Sequence, residues 1–166
     1  AFINIDVCDN IIKDSNIKGI ISNYFGSGKA QVIRNIGPIS NWNVSRVTNM
    51  DNLFNGMSTF NDPLASWNVS QVTNMSYMFD NASSYNQSLT SWNVSQVTNM
   101  SYMFAKASSY NQSLTSWNVS QVTNYDNFAT NSLLCSHTLL PKAFINIDVC
   151  DNIIKDSNIS NYFGSE

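Results

Sequence analysis

The sequence predicts an α/β solenoid of stacked 25-residue coils, each with one strand and one helical turn. The first observation is that tryptophan occurs only at positions 42, 67, 92 and 117, at a constant spacing. The second is that Asn-Val-Ser follows every tryptophan, and Val-Thr-Asn follows after one further residue. Repeat periods of about 20 to 50 residues are typical of solenoids, propellers and arrays, and a propeller blade needs about 40. A solenoid is therefore the expected architecture.

The third observation is the apolar spacing inside one unit. Trp92 and Val94 are two residues apart, as on one face of a strand. The second half of the unit has the i, i+3, i+4, i+7 spacing of one helix face, with Met100, Met103, Phe104 and Ala107. Because one coil cannot bury its own apolar side, we expect the coils to stack and the tryptophans and methionines to form the core.

Short polar side chains occupy the alternate positions, and we expect them to point outward in rows about 4.8 Å apart. The predicted surface ladder comprises Asn43, Asn68, Asn93, Asn118, Ser70, Ser95, Thr73 and Thr98. Two interpretations of these rows remain open. Stacked amides often bond only to one another, which is a structural role, and the alternative is contact with a ligand.

Charge is scarce along the chain. Hydrophobic residues make up 43% of the 166 residues and charged residues 11%, with a net charge of −3. A typical protein has about 25% charged residues, so the polar surface here must come from Asn, Ser, Thr and Gln. Nucleic-acid binding normally needs a basic patch, so we expect no nucleic-acid partner. We also expect no membrane span, because no apolar run approaches about 20 residues.

Residues that could serve as acid, base or metal ligand are also scarce. Between Pro63 and Tyr125 the only carboxylate or ammonium groups are Asp80 and Lys106. The only histidine, His137, has one cysteine nearby, whereas a zinc site needs about four ligands. We therefore expect no enzymatic activity, no catalytic residues, no cofactor and no metal.

The two ends of the chain repeat each other. Residues 143–158 are identical to residues 1–16, and the second copy then omits four residues. Each copy predicts a strand followed by a helix, and in the first copy Ile17, Ile20, Ile21 and Tyr24 share one helix face. The predicted organisation is a single domain, 1–166, with an N-terminal segment (1–29), a repeat array (30–142) and a C-terminal copy (143–166).

The duplicated ends have four possible interpretations. They fit caps at both ends of the array, a dimerisation element, a 142-residue period in a longer array, or an error of sequence assignment. We favour self-association, because identical segments can form a symmetric contact. Cys8 and Cys150 occupy the same position in the two copies, so we expect any disulfide there to reinforce that contact.

The repeated text carries a family resemblance. Residues 91–104, Ser-Trp-Asn-Val-Ser-Gln-Val-Thr-Asn-Met-Ser-Tyr-Met-Phe, together with 85–89, resemble the repeat of bacterial BspA-like leucine-rich-repeat surface proteins. The match covers roughly Pro38 to Phe128. The resemblance implies a leucine-rich-repeat-like solenoid, a secreted or surface location, and roles in adhesion and in provoking host innate immunity. The family commonly has Asp after the tryptophan, where this chain has Asn.

Together these observations predict an α/β, leucine-rich-repeat-like solenoid of 25-residue strand–helix coils with terminal capping or association segments. The expected function is a secreted or cell-surface bacterial interaction protein, acting in adhesion or as a pro-inflammatory antigen by binding proteins. The expected partners are a second copy of the chain, host surface or matrix proteins, and innate immune receptors. The alternatives are a self-assembling structural protein that builds dimers or filaments, and a glycan-binding or ice-binding module.

Overall fold

The computed structural model describes residues 12–135 and 138–144. It begins with two helices, α1 (Asp14–Phe25) and α2 (Lys29–Ile36). Three short 3-10 helices occupy Ile39–Asn41, Leu133–Cys135 and Lys142–Phe144. Between the first and the last of them lie four repeat units. We call these coil 1 (42–66), coil 2 (67–91), coil 3 (92–116) and coil 4 (117–141, of which 136 and 137 are not described).

The predicted leucine-rich-repeat-like strand–helix fold is wrong. The described part of the four coils contains no α-helix and no sheet. Only isolated parallel bridges join neighbouring coils, and they link Asn49 to Asn74, Asn74 to Asn99, and Asn99 to Asn124. The predicted Trp-x-Val strand is absent, because the bridges lie at the asparagine seven residues after each tryptophan. The predicted helical turn also has a different backbone conformation.

A ribbon of consecutive tight turns replaces the helix. In coil 3 the backbone N–H of Met103 donates to Met100 O, and that of Ala105 donates to Tyr102 O, at 3.2 Å each. Tyr102 and Lys106 have φ of 57° and 55°, in the left-handed region. A right-handed helix cannot contain such residues. We call this segment (100–107, and its equivalents) the turn ribbon.

The apolar spacing of the ribbon nevertheless predicted the buried side correctly. Met100, Met103, Phe104 and Ala107 are each 0% exposed. Successive turns bring positions i, i+3, i+4 and i+7 back to one side, as a helix does. The spacing therefore identifies a buried face without distinguishing a helix from a ribbon of turns.

Backbone hydrogen bonds between coils hold the stack together. In the coil 3 ribbon every second N–H donates to coil 4 at 2.7 to 2.9 Å, from Met100, Tyr102, Phe104 and Lys106. The acceptors are the carbonyls of Asn124, Asp126, Phe128 and Thr130. The same four bonds join coil 1 to coil 2 and coil 2 to coil 3. Residue i of one coil lies beside residue i+25 of the next, and turns rather than strands make the layers.

The tryptophans lie in the core, as predicted. Their exposed fractions are 3 to 5%. The indole N–H of Trp92 donates at 3.0 Å to the carbonyl of Leu64, 28 residues earlier, and Trp67 and Trp117 donate in the same way to Ile39 O and Leu89 O. Phe54, Phe79 and Phe104 stack along the axis with centroids 5.4 and 5.3 Å apart. Aromatic stacking and apolar burial therefore run through the whole array.

Helix α1 covers the N-terminal end of the stack. Its buried residues are Ile17, Ile20, Ile21 and Tyr24, which confirms the predicted helix face. The Asp14 carboxylate accepts hydrogen bonds from the Thr48 N–H and hydroxyl and from the Asn49 N–H. In coils 2, 3 and 4 the equivalent N–H groups bond to the preceding coil, so Asp14 takes the place of a missing coil. The strand predicted within residues 1–11 lies outside the described residues.

Candidate functional site

The four asparagines that follow the tryptophans are exposed, as the sequence predicts for a surface row. Each side-chain oxygen accepts a hydrogen bond from the backbone N–H two residues later, at 3.1 to 3.2 Å. The residues concerned are Asn43, Asn68, Asn93 and Asn118, bonded to Ser45, Ser70, Ser95 and Ser120. Such Asx turns fix the side-chain conformation. The oxygens therefore stabilise their own coils rather than the amide of the next coil.

This geometry leaves the amide nitrogens on the outside. Within residues 12–135 and 138–144, no protein acceptor bonds to the side-chain nitrogens of these four asparagines. An amide NH2 group carries two donors. The row thus presents four oriented donor groups, one per coil, to the surroundings.

The threonine positions of the predicted ladder form a second exposed row. The Thr73 hydroxyl donates to Thr48 O at 3.3 Å, and the Thr98 hydroxyl donates to Thr73 O at 3.2 Å. Their hydroxyl protons therefore link coils. Ser70 and Ser95 are half-buried and belong to the Asx turns. All eight predicted residues lie on the segment between each tryptophan and its ribbon.

A true inter-coil amide ladder lies elsewhere, and the sequence analysis did not single it out. The side-chain oxygen of Asn61 accepts from the Asn86 N–H at 2.9 Å and from Gln87 Nε2 at 3.2 Å. Asn86 in turn accepts from the Asn111 N–H at 3.1 Å and from Gln112 Nε2 at 3.0 Å. The repeated Tyr-Asn-Gln-Ser at 85–88 and 110–113 was the available signal.

A pair of half-exposed tyrosines is the most unusual surface feature. The rings of Tyr77 and Tyr102 stack with centroids 4.7 Å apart and planes 4° apart. Both have φ of 57°, which is uncommon for a bulky residue. Asn52 and Asn127 occupy the same position in coils 1 and 4. The sequence showed the change from Asn to Tyr at this position. Only the structure shows that the tyrosines adopt a left-handed backbone conformation that is unfavourable for them.

Charged groups on the described surface serve local contacts. Lys18 pairs with Asp51 at 2.8 Å. Burial raises the pKa of the Asp14 carboxyl, but the hydrogen bonds from Thr48 and Asn49 outweigh it and lower the pKa overall. Burial raises the pKa of Asp80, which Lys106 opposes. Among the described residues, no three His, Cys, Asp or Glu side chains are arranged to hold a metal ion.

The predicted association cysteines, Cys8 and Cys150, lie outside the described residues, as does His137. Cys135 is disulfide-bonded. No helix of the described residues is long and apolar enough to cross a bilayer.

The fold and its surface define a repeat protein of stacked, turn-rich 25-residue coils with uncharged polar rows. A family model described as "Mycoplasma protein of unknown function, DUF285" matches residues 21–139. The match covers most of the chain, including coils 1 to 3 and nearly all of coil 4, so the protein belongs to this family. No curated protein and no solved structure matches the chain.

Proposed function

We propose that the protein is a secreted or cell-surface bacterial interaction protein that binds other proteins through the asparagine row. The row of Asn43, Asn68, Asn93 and Asn118 carries the proposal, because its amide donors are exposed, oriented and one coil apart. An uncharged donor row suits a partner that presents regularly spaced acceptors, such as backbone carbonyls along an extended segment. The resemblance of the repeat text to BspA-like surface proteins supports adhesion or a pro-inflammatory role.

The low charge of the coils favours contact by hydrogen bonds over electrostatic attraction. Coils 2 and 3 carry only Asp80 and Lys106 as carboxylate or ammonium groups. Long-range steering of a charged ligand needs a surface of one sign. We therefore expect binding that changes little between low and physiological salt. A marked loss of binding in salt would favour a charged ligand instead.

An isosteric substitution tests the row without disturbing the fold. Asn68→Asp with Asn93→Asp retains the oxygens that accept the Asx-turn hydrogen bonds and removes both NH2 groups, which carry four N–H donors in all. The matched control, Asn55→Asp with Asn81→Asp, adds the same charge at exposed positions on the ribbon side.

Binding to cultured host cells and to immobilised matrix proteins is the readout, with melting temperature as a check on folding. We expect at least an approximately tenfold loss of binding for the row variant and no loss for the control, as befits removal of several hydrogen bonds. Equal binding by both variants would exclude the asparagine row as the binding surface. Parallel binding to a panel of glycans separates protein binding from the glycan-binding alternative.

A further inference from the structure

The outward side of the turn ribbon changes between coil 1 and coil 2. Coil 2 has Tyr77 at the first left-handed position of its ribbon, whereas coil 1 has the shorter Asn52 there. One face of the Tyr77 ring is covered by Tyr102 of coil 3, at a centroid distance of 4.7 Å. Among the described residues no other ring contacts Tyr77. The ladder of rings therefore ends at Tyr77, whose second face is directed toward the shorter side chain of coil 1.

Coil 1 leaves open space in front of this second face. At the next left-handed position coil 1 has Gly56, whereas the other three coils have a residue with a side chain. A Cβ placed on Gly56 would meet no atom within 4 Å. The Gly56 N–H donates to Asp80 O at 2.8 Å, so the open space lies beside Asp80. We call this part of the surface the tyrosine step (Asn52, Asn55, Gly56, Tyr77 and Asp80).

A carboxylate without a hydrogen-bond donor belongs to the tyrosine step. The Asp80 N–H donates to Tyr77 O at 3.2 Å, so the two residues share one tight turn. Among the described residues no donor bonds to the Asp80 carboxylate, although its Oδ1 is buried and the residue as a whole is half-buried. Buried polar groups are nearly always hydrogen-bonded. Asp80 is the only acid of coils 2 and 3, and Ala105 occupies its position in coil 3.

Coil 1 supplies uncharged hydrogen-bonding groups to the tyrosine step. Asn55 Nδ2 donates to Asn52 Oδ1 at 2.8 Å, and Asn52 Nδ2 donates to Asp51 Oδ2 at 3.0 Å. These bonds hold both side chains in place and use one proton of each NH2 group. Both asparagines are exposed, so the second proton of each group is available to a ligand.

An aromatic face, two amides and a carboxylate without a donor suit a sugar ring. The C–H face of a sugar packs on an aromatic ring, and its hydroxyls donate to a carboxylate and accept from amides. A cation is the competing ligand, because tyrosine faces and carboxylates both attract ammonium groups. Lys106 disfavours a cation, because its positive charge already acts on Asp80 and opposes the rise in pKa that burial causes there.

We propose that the tyrosine step binds a neutral saccharide. The sugar ring stacks on the face of Tyr77 that Tyr102 leaves free, and its hydroxyls donate to the Asp80 carboxylate. Asn52 and Asn55 donate to its oxygens. The tyrosine step lies on the ribbon, whereas the asparagine row lies between each tryptophan and its ribbon, so the two surfaces are separate.

Titration of the full chain with neutral trisaccharides of glucose, galactose, mannose and N-acetylglucosamine, followed by amide NMR shifts, tests the proposal. We expect binding of at least one trisaccharide, with the largest shifts at Asn52, Tyr77 and Asp80. Tyr77→Asn and Asp80→Ala should each weaken that binding at least about tenfold, because each removes one principal contact. Both variants insert the residue that another coil has at the same position, Asn52 or Ala105, so we expect them to fold. Melting temperature checks the fold.

The matched control is Tyr102→Asn, the same change one coil further on, where Ala105 replaces the carboxylate. It removes the ring behind Tyr77 but no group of the tyrosine step, so binding should weaken by less than about threefold. Asn52→Tyr extends the ladder of rings over the free face of Tyr77. This variant should block binding although it removes no aromatic group.

The absence of shifts at the tyrosine step with every trisaccharide at millimolar concentration would overturn the proposal. So would equal losses of binding in Tyr77→Asn and Tyr102→Asn. Saccharide binding that is lost in Asn68→Asp with Asn93→Asp would assign the sugar to the asparagine row instead. Binding of lysine methyl ester in place of the sugars, lost in Asp80→Ala, would assign the step to a cationic ligand and overturn the saccharide assignment.

Discussion

Coils 2 and 3 differ from each other at only two positions. Coils 1 and 4 differ from them at positions that contact a segment outside the four coils. Ser76 and Ser101 of the inner coils correspond to Asp51 in coil 1, which pairs with Lys18 of α1. Met75 and Met100 correspond to Tyr125 in coil 4, which stacks on Phe144. A coil that packs between other coils keeps the repeat sequence, whereas a coil that packs against α1 or Phe144 has substitutions at the contact.

The inner coils, 2 and 3, contain energetically unfavourable features that the outer coils, 1 and 4, avoid. Tyr77 and Tyr102 adopt the left-handed backbone that Asn52 and Asn127 adopt more easily. Tyr85 and Tyr110 are 0% exposed, and their hydroxyls have no partner among the described residues, whereas Phe60 fills the same position in coil 1 without a hydroxyl. Burial raises the pKa of both phenols. At these positions the stacking of the tyrosine rings between coils outweighs the unfavourable backbone conformation or the unpaired hydroxyl.

The largest expected effect comes from the core of an inner coil. Trp92→Ala should lower the free energy of unfolding by about 3–5 kcal/mol, the range for deleting a buried large aromatic side chain. The loss arises because the ring packs against two coils and its N–H bonds to Leu64 O. Urea denaturation measures it. A cost below about 1 kcal/mol would mean that the tryptophans are not the core of the stack.

The second effect concerns the cap of coil 1. Asp14→Ala removes the acceptor of two backbone N–H groups and should cost about 0.5–2 kcal/mol, as for loss of a helix N-cap. Asp14 is exposed, so solvent screening favours the lower half of this range. Asp126→Ala, at an exposed carboxylate of coil 4 whose side chain has no hydrogen bond among the described residues, is the control and should be nearly neutral.

The pH dependence of the Asp14 contribution has a definite sign. The folded-state pKa lies below the ordinary value of 3.8, so the carboxylate stabilises the fold above about pH 4. That stability is lost as the pH falls through the lowered pKa. The parent and Asp14→Ala should therefore converge in strongly acidic solution. A stability difference that does not shrink as the pH falls would mean that Asp14 acts by packing rather than by charge-assisted hydrogen bonds.

The third effect separates a turn ribbon from a helix at an inner coil. Asn and Val have nearly equal helix propensities, but only Asn tolerates a positive φ well. Tyr102→Val should therefore be less stable than Tyr102→Asn by about 1–2 kcal/mol, the cost of a left-handed conformation for a residue with a Cβ branch. Equal stability of the two variants would point to a right-handed helix at this position.

The smallest effect tests the buried hydroxyls. Tyr85→Phe should leave stability unchanged or raise it by up to about 1 kcal/mol, because an unpaired buried polar group is removed and Phe60 shows that the ring alone fits. Tyr110→Phe should behave alike. Destabilisation of either variant by about 1 kcal/mol or more would show that the hydroxyl has a hydrogen-bonding partner in solution.

The sequence predicted burial and periodicity well and backbone geometry poorly. The tryptophan spacing and the apolar face of α1 follow directly from side-chain hydrophobicity, so they were correct. The ribbon was mistaken for a helix because both place Met100, Met103 and Phe104 on one side, and neither Tyr102 nor Lys106 is typical of a left-handed residue. The exposed asparagines were predicted, but their Asx-turn bonds depend on a backbone conformation that spacing does not reveal.

The repeat is a stack of turn ribbons joined by backbone hydrogen bonds between coils. NMR couplings transmitted across hydrogen bonds identify the acceptor of each amide directly. We expect a coupling between the Phe104 amide nitrogen and the Phe128 carbonyl carbon, whose N···O distance is 2.8 Å. A coupling from Phe104 to the Met100 carbonyl instead, the i to i−4 bond of an α-helix, would contradict the account.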